Sequence, residues 1–254
     1  MRLHRGKAEN SRLLYDRLNL VTLAVNHMEN PHYIKPILLA MVPRSWLLAV
    51  SFLSLSLFAV MPVAAEQVVE LPVLAAIRAN DKGVFEILLM RWDKKSDPTP
   101  PQLQWILAGV RFGNTHLGAM AQAFDYAVQR TPGIPHSGTI SVQGITYQPT
   151  GSDGPSGGAA MAVGFIALFK GDRIQRGVAM TGTLEAGGHI GFVGGIPDKL
   201  RAAKREGCHT VLVPRGQIHD ARWNLNELAF QLNITVKEVD TIEEAYQMMT
   251  GNRI

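Results

Sequence analysis

Two glycine-rich segments of the chain carry residue types that together could hydrolyse a carbonyl bond. Residues 153–158 read DGPSGG and contain Ser156, whereas residues 194–200 read GGIPDKL and contain Lys199. A serine hydroxyl attacks a carbonyl only when a neighbouring group takes its proton and backbone donors receive the oxyanion that forms. The two segments therefore predict a hydrolase with a serine nucleophile and a lysine base.

Ser156 lies at the predicted start of a helix. Pro155 suits the first helical position, and residues 156–170 have the composition of a buried helix rich in alanine and large apolar residues. Free N–H groups and the positive end of the helix dipole would then face the oxyanion. Glycine is a poor residue for a first helical turn, so we interpret Gly157 and Gly158 as leaving room for an approaching peptide.

Lysine acts as a base only when its amine is neutral, and its ordinary pKa is about 10.4. Catalysis near pH 7 to 8 therefore requires burial to destabilise the ammonium by roughly 3 to 5 kcal/mol. Lys199 lies at the start of a predicted amphipathic helix, residues 197–206, with Leu200 and Ala203 on its inner side. A nearby hydroxyl could hold the amine in place, and Thr181 is the candidate.

From about residue 68 to the C-terminus the chain resembles the proteolytic domain of the Lon family of serine proteases. The matching stretches are residues 153–162, 178–207 and 209–217, in the family's order and at similar separations. The resemblance implies that Ser156 is the nucleophile, Lys199 the general base and Thr181 the hydroxyl that hydrogen-bonds the lysine. It gives Asp153 a conformational or modulatory role, and capping of its loop and tuning of the site both stay open.

The chain departs from ATP-dependent family members at two places. Many of those members read GPSAG where this chain has Gly157 and Gly158, and a glutamate commonly stands where this chain has Thr183. The sequence of this chain is closer here to that of ATP-independent, exported Lon-like proteases. No G-x-x-x-x-G-K-[ST] phosphate loop occurs in the sequence, so we expect ATP-independent proteolysis.

The N-terminal part of the sequence has the pattern of an export signal. Arg44 precedes an apolar run, and small residues stand before Glu66, so residues 41–65 are interpreted as a signal peptide or, alternatively, as an uncleaved anchor through residues 46–65. Residues 1–40 are interpreted as an over-extended, unstructured leader. We expect residues 66–254, the proteolytic domain, to be periplasmic or secreted, or membrane-anchored outside the cytoplasm.

The charges argue against a nucleic-acid partner. The net charge of +4 comes from residues 1–65, whereas residues 66–254 hold 18 basic and 18 acidic residues. The single cysteine, Cys208, is interpreted as a small buried apolar residue. The histidines form no metal-binding pattern, so we expect neither a metal nor a cofactor, and we interpret His189 as a loop or strand-edge residue.

The periodicity of the chain predicts an α+β fold. Strands are predicted at residues 68–78, 84–90, 139–147, 177–181, 189–193, 210–213 and 235–239, and helices at 116–130, 156–170, 197–206, 224–232 and 242–249. Helices mixed with short strands and no regular βαβ period indicate a single domain of short mixed sheets and packed helices. A turn at residues 80–83 and proline-rich residues 94–101 would flank the second strand.

The sequence thus predicts a serine endopeptidase that cleaves accessible or unfolded protein segments outside the cytoplasm. Its substrate would bind extended, adding a strand beside the site. Two alternatives stay open: a catalytically silent module that binds peptides or a partner protein, and a membrane-anchored maturase that processes itself. A homo-oligomer is expected from the family resemblance alone.

Overall fold

The computed structural model describes residues 66–77, 82–95, 100–106, 111–145 and 151–254. The predicted leader, residues 1–40, and the predicted signal or anchor, residues 41–65, lie outside the described residues, as do parts of the predicted loops at 80–83, 94–101 and 148–153. No helix in the described part of the chain is long and apolar enough to span a membrane.

Five α-helices occur among the described residues. They are α1 (Asn114–Arg130), α2 (Gly158–Lys170), α3 (Ile196–Arg205), α4 (Leu225–Leu232) and α5 (Ile242–Thr250). All five were predicted. The helix predicted at residues 156–170 begins with a short 3-10 turn, Pro155–Gly157, before α2.

The strands of the described residues form one large mixed sheet and three small two-stranded ones. They are β1 (Gln67–Ile77), β2 (Lys82–Lys94), β3 (Gln102–Ile106), β4 (Arg111–Phe112), β5 (Gly138–Ile145), β6 (Gly151–Ser152), β7 (Val178–Met180), β8 (Thr183–Leu184), β9 (Ile190–Gly191), β10 (Thr210–Pro214), β11 (His219–Asp220), β12 (Trp223–Asn224) and β13 (Thr235–Val239). The large sheet has the order β13-β10-β7-β1-β2-β5-β3, and the small sheets are β4-β6, β8-β9 and β11-β12. The α+β class is confirmed.

The first two strands form the predicted antiparallel hairpin, in register from Gln67 opposite Trp92 to Ile77 opposite Lys82. β3 was not predicted: its residues, QLQWI, alternate between polar and apolar types at first, but the segment is short and follows a proline-rich stretch. The strand predicted at 189–193 is reduced to β9, since the chain leaves β8 after Gly191.

Helices cover both faces of the large sheet. Successive side chains on β1 point to opposite faces and therefore pack in two different hydrophobic clusters. Val73 packs in the cluster that contains residues of α1, α2 and α5, whereas its neighbour Leu74 packs in the cluster of α3 and α4. α2 is apolar all round and almost wholly buried, as expected of a helix enclosed by other elements. The dyad candidates therefore start from helices that pack on opposite faces of one sheet.

Cys208 follows α3 and is buried in the second cluster, as its interpretation as a packing residue predicted. Burial, with the charge of Glu206 nearby, raises the pKa of its thiol to about 11. The thiol therefore stays protonated and weakly nucleophilic at neutral pH.

Glu86 is a carboxyl group within the apolar cluster on the α2 side of the sheet. It lies on β2 opposite Val73, is 2% exposed, and its Oε1 has no hydrogen-bond partner among the described residues. Burial raises its pKa from 4.5 to about 7. The folded protein therefore binds this proton more tightly than the unfolded chain does.

This shift predicts how Glu86 affects stability. Its favourable contribution is complete below pH 4.5 and is lost as the pH rises to about 7, where the buried carboxylate forms. Glu86→Gln should therefore raise the free energy of unfolding at pH 8 by about 3 kcal/mol and change it little at pH 4.5. Urea unfolding at both pH values measures the difference; an equal effect at both would contradict the assigned titration.

Candidate active site

Ser156 lies in the 3-10 turn that leads into α2. Gly154 has φ 128° and ψ 155°, a conformation that only glycine adopts readily. The turn is fixed to the end of β7 by two backbone bonds: Gly182 N–H donates to the Ser156 carbonyl at 2.9 Å, and Ala159 N–H donates to the Gly182 carbonyl at 3.1 Å. The nucleophile candidate is therefore held by the sheet as well as by its own helix.

Lys199 lies in the first turn of α3, after Gly195 turns the chain with φ 64°. The side chain points inward and is only 2% exposed. Its Nζ lies 3.0 Å from Ser156 Oγ and 2.9 Å from Thr181 Oγ1. The structure thus brings together the three residues that the sequence singled out as nucleophile, base and supporting hydroxyl.

Thr181 follows β7 and is fully buried. Its N–H donates to the Leu212 carbonyl at 3.1 Å, which ties it to β10. Its hydroxyl donates to the Ser156 carbonyl at 3.2 Å while accepting from the lysine amine. A hydroxyl can do both at once, so Thr181 fixes the position of Nζ relative to the serine turn.

Burial alone tunes the amine. Desolvation lowers the pKa of Lys199 from 10.5 to about 8, because the charged form loses water that the two hydroxyls replace only in part. Near pH 8 about half of the amine is then neutral and has a lone pair for the serine proton. The shift needed for base catalysis is therefore present without an acidic partner.

The side chain of Asp153 hydrogen-bonds to α1 rather than to the dyad. Its side chain is exposed, and Oδ1 accepts the His116 N–H at 3.3 Å in the first turn of α1. A Cβ on Gly113, the residue before α1, would lie 2.3 Å from the Asp153 carboxyl carbon. The carboxylate therefore satisfies an orphan donor at a helix N-terminus and ties the serine loop to α1, which favours the capping role over direct tuning.

Gly157 is buried, and its missing side chain allows close packing. A Cβ there would meet Val73 Cγ1 at 3.0 Å, with Met161 and His116 beyond. The glycine thus allows the serine turn to pack against β1. It also lines the cavity beside the dyad, and that it leaves room for a substrate stays a prediction.

The dyad opens onto a cavity of about 390 Å³. Its walls are the end of β1, residues 73–76, the serine turn, and residues 192–195 ahead of α3. His116 also lines it, buried and stacked on Phe112, and burial lowers the pKa of its imidazole. His116 was not predicted, because a histidine in an amphipathic helix carries no signal of its own.

His189, the histidine that lies between the two dyad residues in sequence, does not line this cavity. It forms an isolated bridge with Thr241, with its Nδ1 4.0 Å from the Asp240 carboxylate, as expected of a strand-edge residue. Within the described ranges, no group of three or more His, Cys, Asp or Glu side chains is placed to hold a metal ion.

Comparison with known proteins finds a similarity to one protease family. Residues 145–250 match the Lon protease (S16) C-terminal proteolytic domain. The Lon protease of Haemophilus influenzae is 37% identical over 97 residues, which are 37% of this chain and 12% of that protein. Lon protease 2 of Syntrophobacter fumaroxidans is 35% identical over 99 residues, 39% of this chain and 12% of that protein.

A third relative, the Lon protease of Citrifermentans bemidjiense, is 39% identical over 100 residues, 37% of this chain and 13% of that protein. The chain therefore matches only 12 to 13% of the length of these relatives. The matched part is therefore similar to the proteolytic domain of the Lon proteases, a serine peptidase family, and the resemblance read from the sequence is confirmed.

The Thr181 contacts predict a specific effect of removing its hydroxyl. Thr181→Val keeps the shape but removes an acceptor for the lysine amine, so the pKa of Lys199 should fall below 8 and the amine should lose its fixed position. We expect sulfonylation of Ser156 by a small sulfonyl fluoride, which releases fluoride, to slow about tenfold, the cost of one hydrogen bond.

Thr181→Ser is the matched control, since it keeps the hydroxyl. NMR titration of a reductively methylated sample gives the pKa of Lys199, and mass spectrometry gives the rate of Ser156 sulfonylation. Equal rates for the valine and serine variants would show that the hydroxyl has no part in positioning the amine.

Proposed function

We propose that this chain is an ATP-independent serine endopeptidase with a Lon-type proteolytic domain, in which Ser156 and Lys199 are in contact. The observation that carries the proposal is the 3.0 Å distance between Ser156 Oγ and a lysine amine whose buried position lowers its pKa to about 8. A solvated surface lysine would have neither feature, and a silent binding module would need neither.

Acylation follows from the positions of the two side chains. Neutral Lys199 takes the hydroxyl proton as Ser156 Oγ attacks the peptide carbonyl, and the resulting ammonium gives that proton to the leaving amine. An ester between the substrate acyl group and Ser156 remains. The amine, again neutral, then takes a proton from a water molecule as the water oxygen attacks the ester. The bond to Ser156 Oγ breaks, the acid is released, and the Lys199 ammonium returns the proton to Ser156.

Two backbone donors near the nucleophile are proposed to receive the oxyanion. In the 3-10 turn the Gly158 N–H donates to the Pro155 carbonyl. The N–H groups of Ser156 and Gly157 precede that bond, in the position where helical turns leave donors unused. The dipole of α2 adds positive potential at the same end.

The substrate is proposed to bind as an extended strand along the cavity. β7 pairs with β1 only at Val73, opposite Met180. β1 continues to Ile77, so residues 74–76 reach beyond β7 and form one wall of the cavity, while residues 192–194 form the other. An extended peptide laid between these walls would bring its carbonyl past Ser156 and add main-chain hydrogen bonds.

ATP independence and export rest on the sequence. The lack of a phosphate loop motif supports hydrolysis without nucleotide, which limits the substrates to accessible or unfolded segments. The basic start, apolar run and small residues of the 41–65 segment support export, and the near-neutral remainder of the chain is consistent with a protein substrate.

The dyad is tested with Ser156→Ala and Lys199→Ala in a peptidase assay on an unfolded, reduced and alkylated protein without nucleotide. Each variant should lose at least about a thousandfold in kcat/KM, because neither group works without the other. For the wild-type protein, kcat/KM should rise about tenfold per pH unit and level off near pH 8, since the base must be deprotonated.

Lys204→Ala is the matched control, since this lysine lies on the exposed side of the same helix. It should keep wild-type activity and the same pH profile. Hydrolysis by folded Lys199→Ala at the wild-type rate would refute the dyad, and a requirement for ATP would refute independent action.

Export is tested by expressing the chain from Met41 in a bacterial host and sequencing the N-terminus of the product. We expect a periplasmic or secreted protein that begins at Glu66, because Val63 and Ala65 provide the small residues of a cleavage site. Ala65→Glu should block this cleavage and leave a longer, membrane-associated product. A wild-type product that remains in the cytoplasm at full length would contradict the assignment.

A further inference from the structure

The cavity wall formed by residues 192–194 has little regular structure of its own, although it lies between β9 and α3. Phe192 is 67% exposed, and a Cβ on Gly194 would meet no atom within 4 Å. In the described part of the chain, the N–H groups of Phe192 and Gly194 donate to no backbone carbonyl. Something other than sheet pairing must therefore hold this wall in place.

A single side chain does so. Gln217 is 2% exposed, and its amide faces Val193: Val193 N–H donates to Gln217 Oε1 at 3.0 Å, while Gln217 Nε2 donates to the Val193 carbonyl at 2.9 Å. The two partners fix which end of the amide is oxygen and which is nitrogen. The side chain thus satisfies both main-chain groups of one residue, as a neighbouring antiparallel strand would.

Gln217 is itself held in place by its backbone. Its N–H donates to the Pro214 carbonyl at 3.2 Å, and its carbonyl accepts Trp223 Nε1 at 2.9 Å. The residues on either side, Gly216 and Ile218, both donate their N–H groups to the Glu238 carboxylate on β13. The amide therefore extends from a rigid turn at the end of β10 to the cavity wall.

The pairing also sets the direction of the neighbouring main-chain groups. In an extended segment the N–H and C=O of one residue point to the same side, and those of the residues before and after point to the other. Each trans peptide unit directs its C=O and N–H to opposite sides, so the bonds of Val193 to Gln217 turn the C=O of Phe192 and the N–H of Gly194 away from Gln217. Both residues line the cavity. They are thus available to an extended peptide.

We propose that Gln217 is a positioning residue for substrate: its amide substitutes for a missing strand and holds residues 192–194 ready to pair with the peptide. The inference rests on the proposed peptidase function and deepens it. Gln217 does not touch the dyad, so it acts on the peptide through the main chain of the cavity wall rather than on the proton transfer.

The test compares Gln217→Met with the wild-type protein. Methionine has a similar size and no hydrogen-bonding amide, so packing is kept while both bonds to Val193 are lost. For a peptide long enough to span the cavity we expect KM to rise about tenfold or more, the cost of one to two hydrogen bonds. Sulfonylation of Ser156 by a small sulfonyl fluoride, which makes no strand contacts, should change less than about threefold in rate.

Gln217→Glu supplies a readout that depends on the hydrogen bonds themselves. The ionised carboxylate cannot donate to the Val193 carbonyl, whereas the neutral acid can donate to it and still accept the N–H. Burial favours the neutral acid, so the ratio of kcat/KM for this variant to that of wild type should rise as the pH is lowered from about 8.5 to 6.5. The same ratio for Gln217→Met should stay flat, because methionine does not titrate.

The outcomes separate the two proposals. If the wild-type protein is active and KM is unchanged in Gln217→Met, the role of Gln217 is overturned and the proposed function stands. The role of Gln217 is also overturned if Gln217→Met reduces sulfonylation of Ser156 by the small probe as much as it reduces cleavage of the peptide. Circular dichroism checks that the variants fold. If Gln217→Met does not fold, the pH dependence of the kcat/KM ratio of Gln217→Glu to wild type decides. Failure of both variants to fold also overturns the assignment. A wild-type protein inert to both peptide and probe overturns the proposed function and this inference with it.

Discussion

The burial of one lysine amine between two hydroxyl groups is the interaction on which the rest of the site depends. Lys199 Nζ contacts Ser156 Oγ and Thr181 Oγ1, and no carboxylate offsets the loss of water. A drop in pKa from 10.5 to about 8 corresponds to about 3 kcal/mol against the charged form. The fold has to supply that free energy, because nothing local to α3 could.

The large sheet supplies it by placing apolar layers on both faces. α2 brings the serine turn from one cluster, and α3 brings the lysine from the other. Their ends meet where β7 stops, and the bonds between Gly182 and the serine turn, with Thr181 bonded to both dyad members, close the arrangement. Because these bonds join separate elements, each side chain keeps its position without depending on loop rigidity.

Residues around the dyad shape the cavity rather than add to the chemistry. Asp153 joins the serine loop to α1, and Gly157 lets that loop pack on Val73. On the opposite wall, Gln217 bonds both main-chain groups of Val193. These contacts hold the walls of the cavity beside the dyad in place, and under the proposed function a peptide would lie between those walls.

The sequence by itself determined the α+β class and the five helices, because apolar periodicity is a local signal. The pairing of Ser156 with Lys199 and Thr181 was predicted from their residue types and from the family resemblance of the segments that hold them. The sequence missed β3 and gave Gln217 no role. Strand order, the depth of a side chain and the partner of an amide depend on residues far apart in the chain. Only the tertiary structure decided those, since burial and hydrogen bonding exist only after the elements have packed.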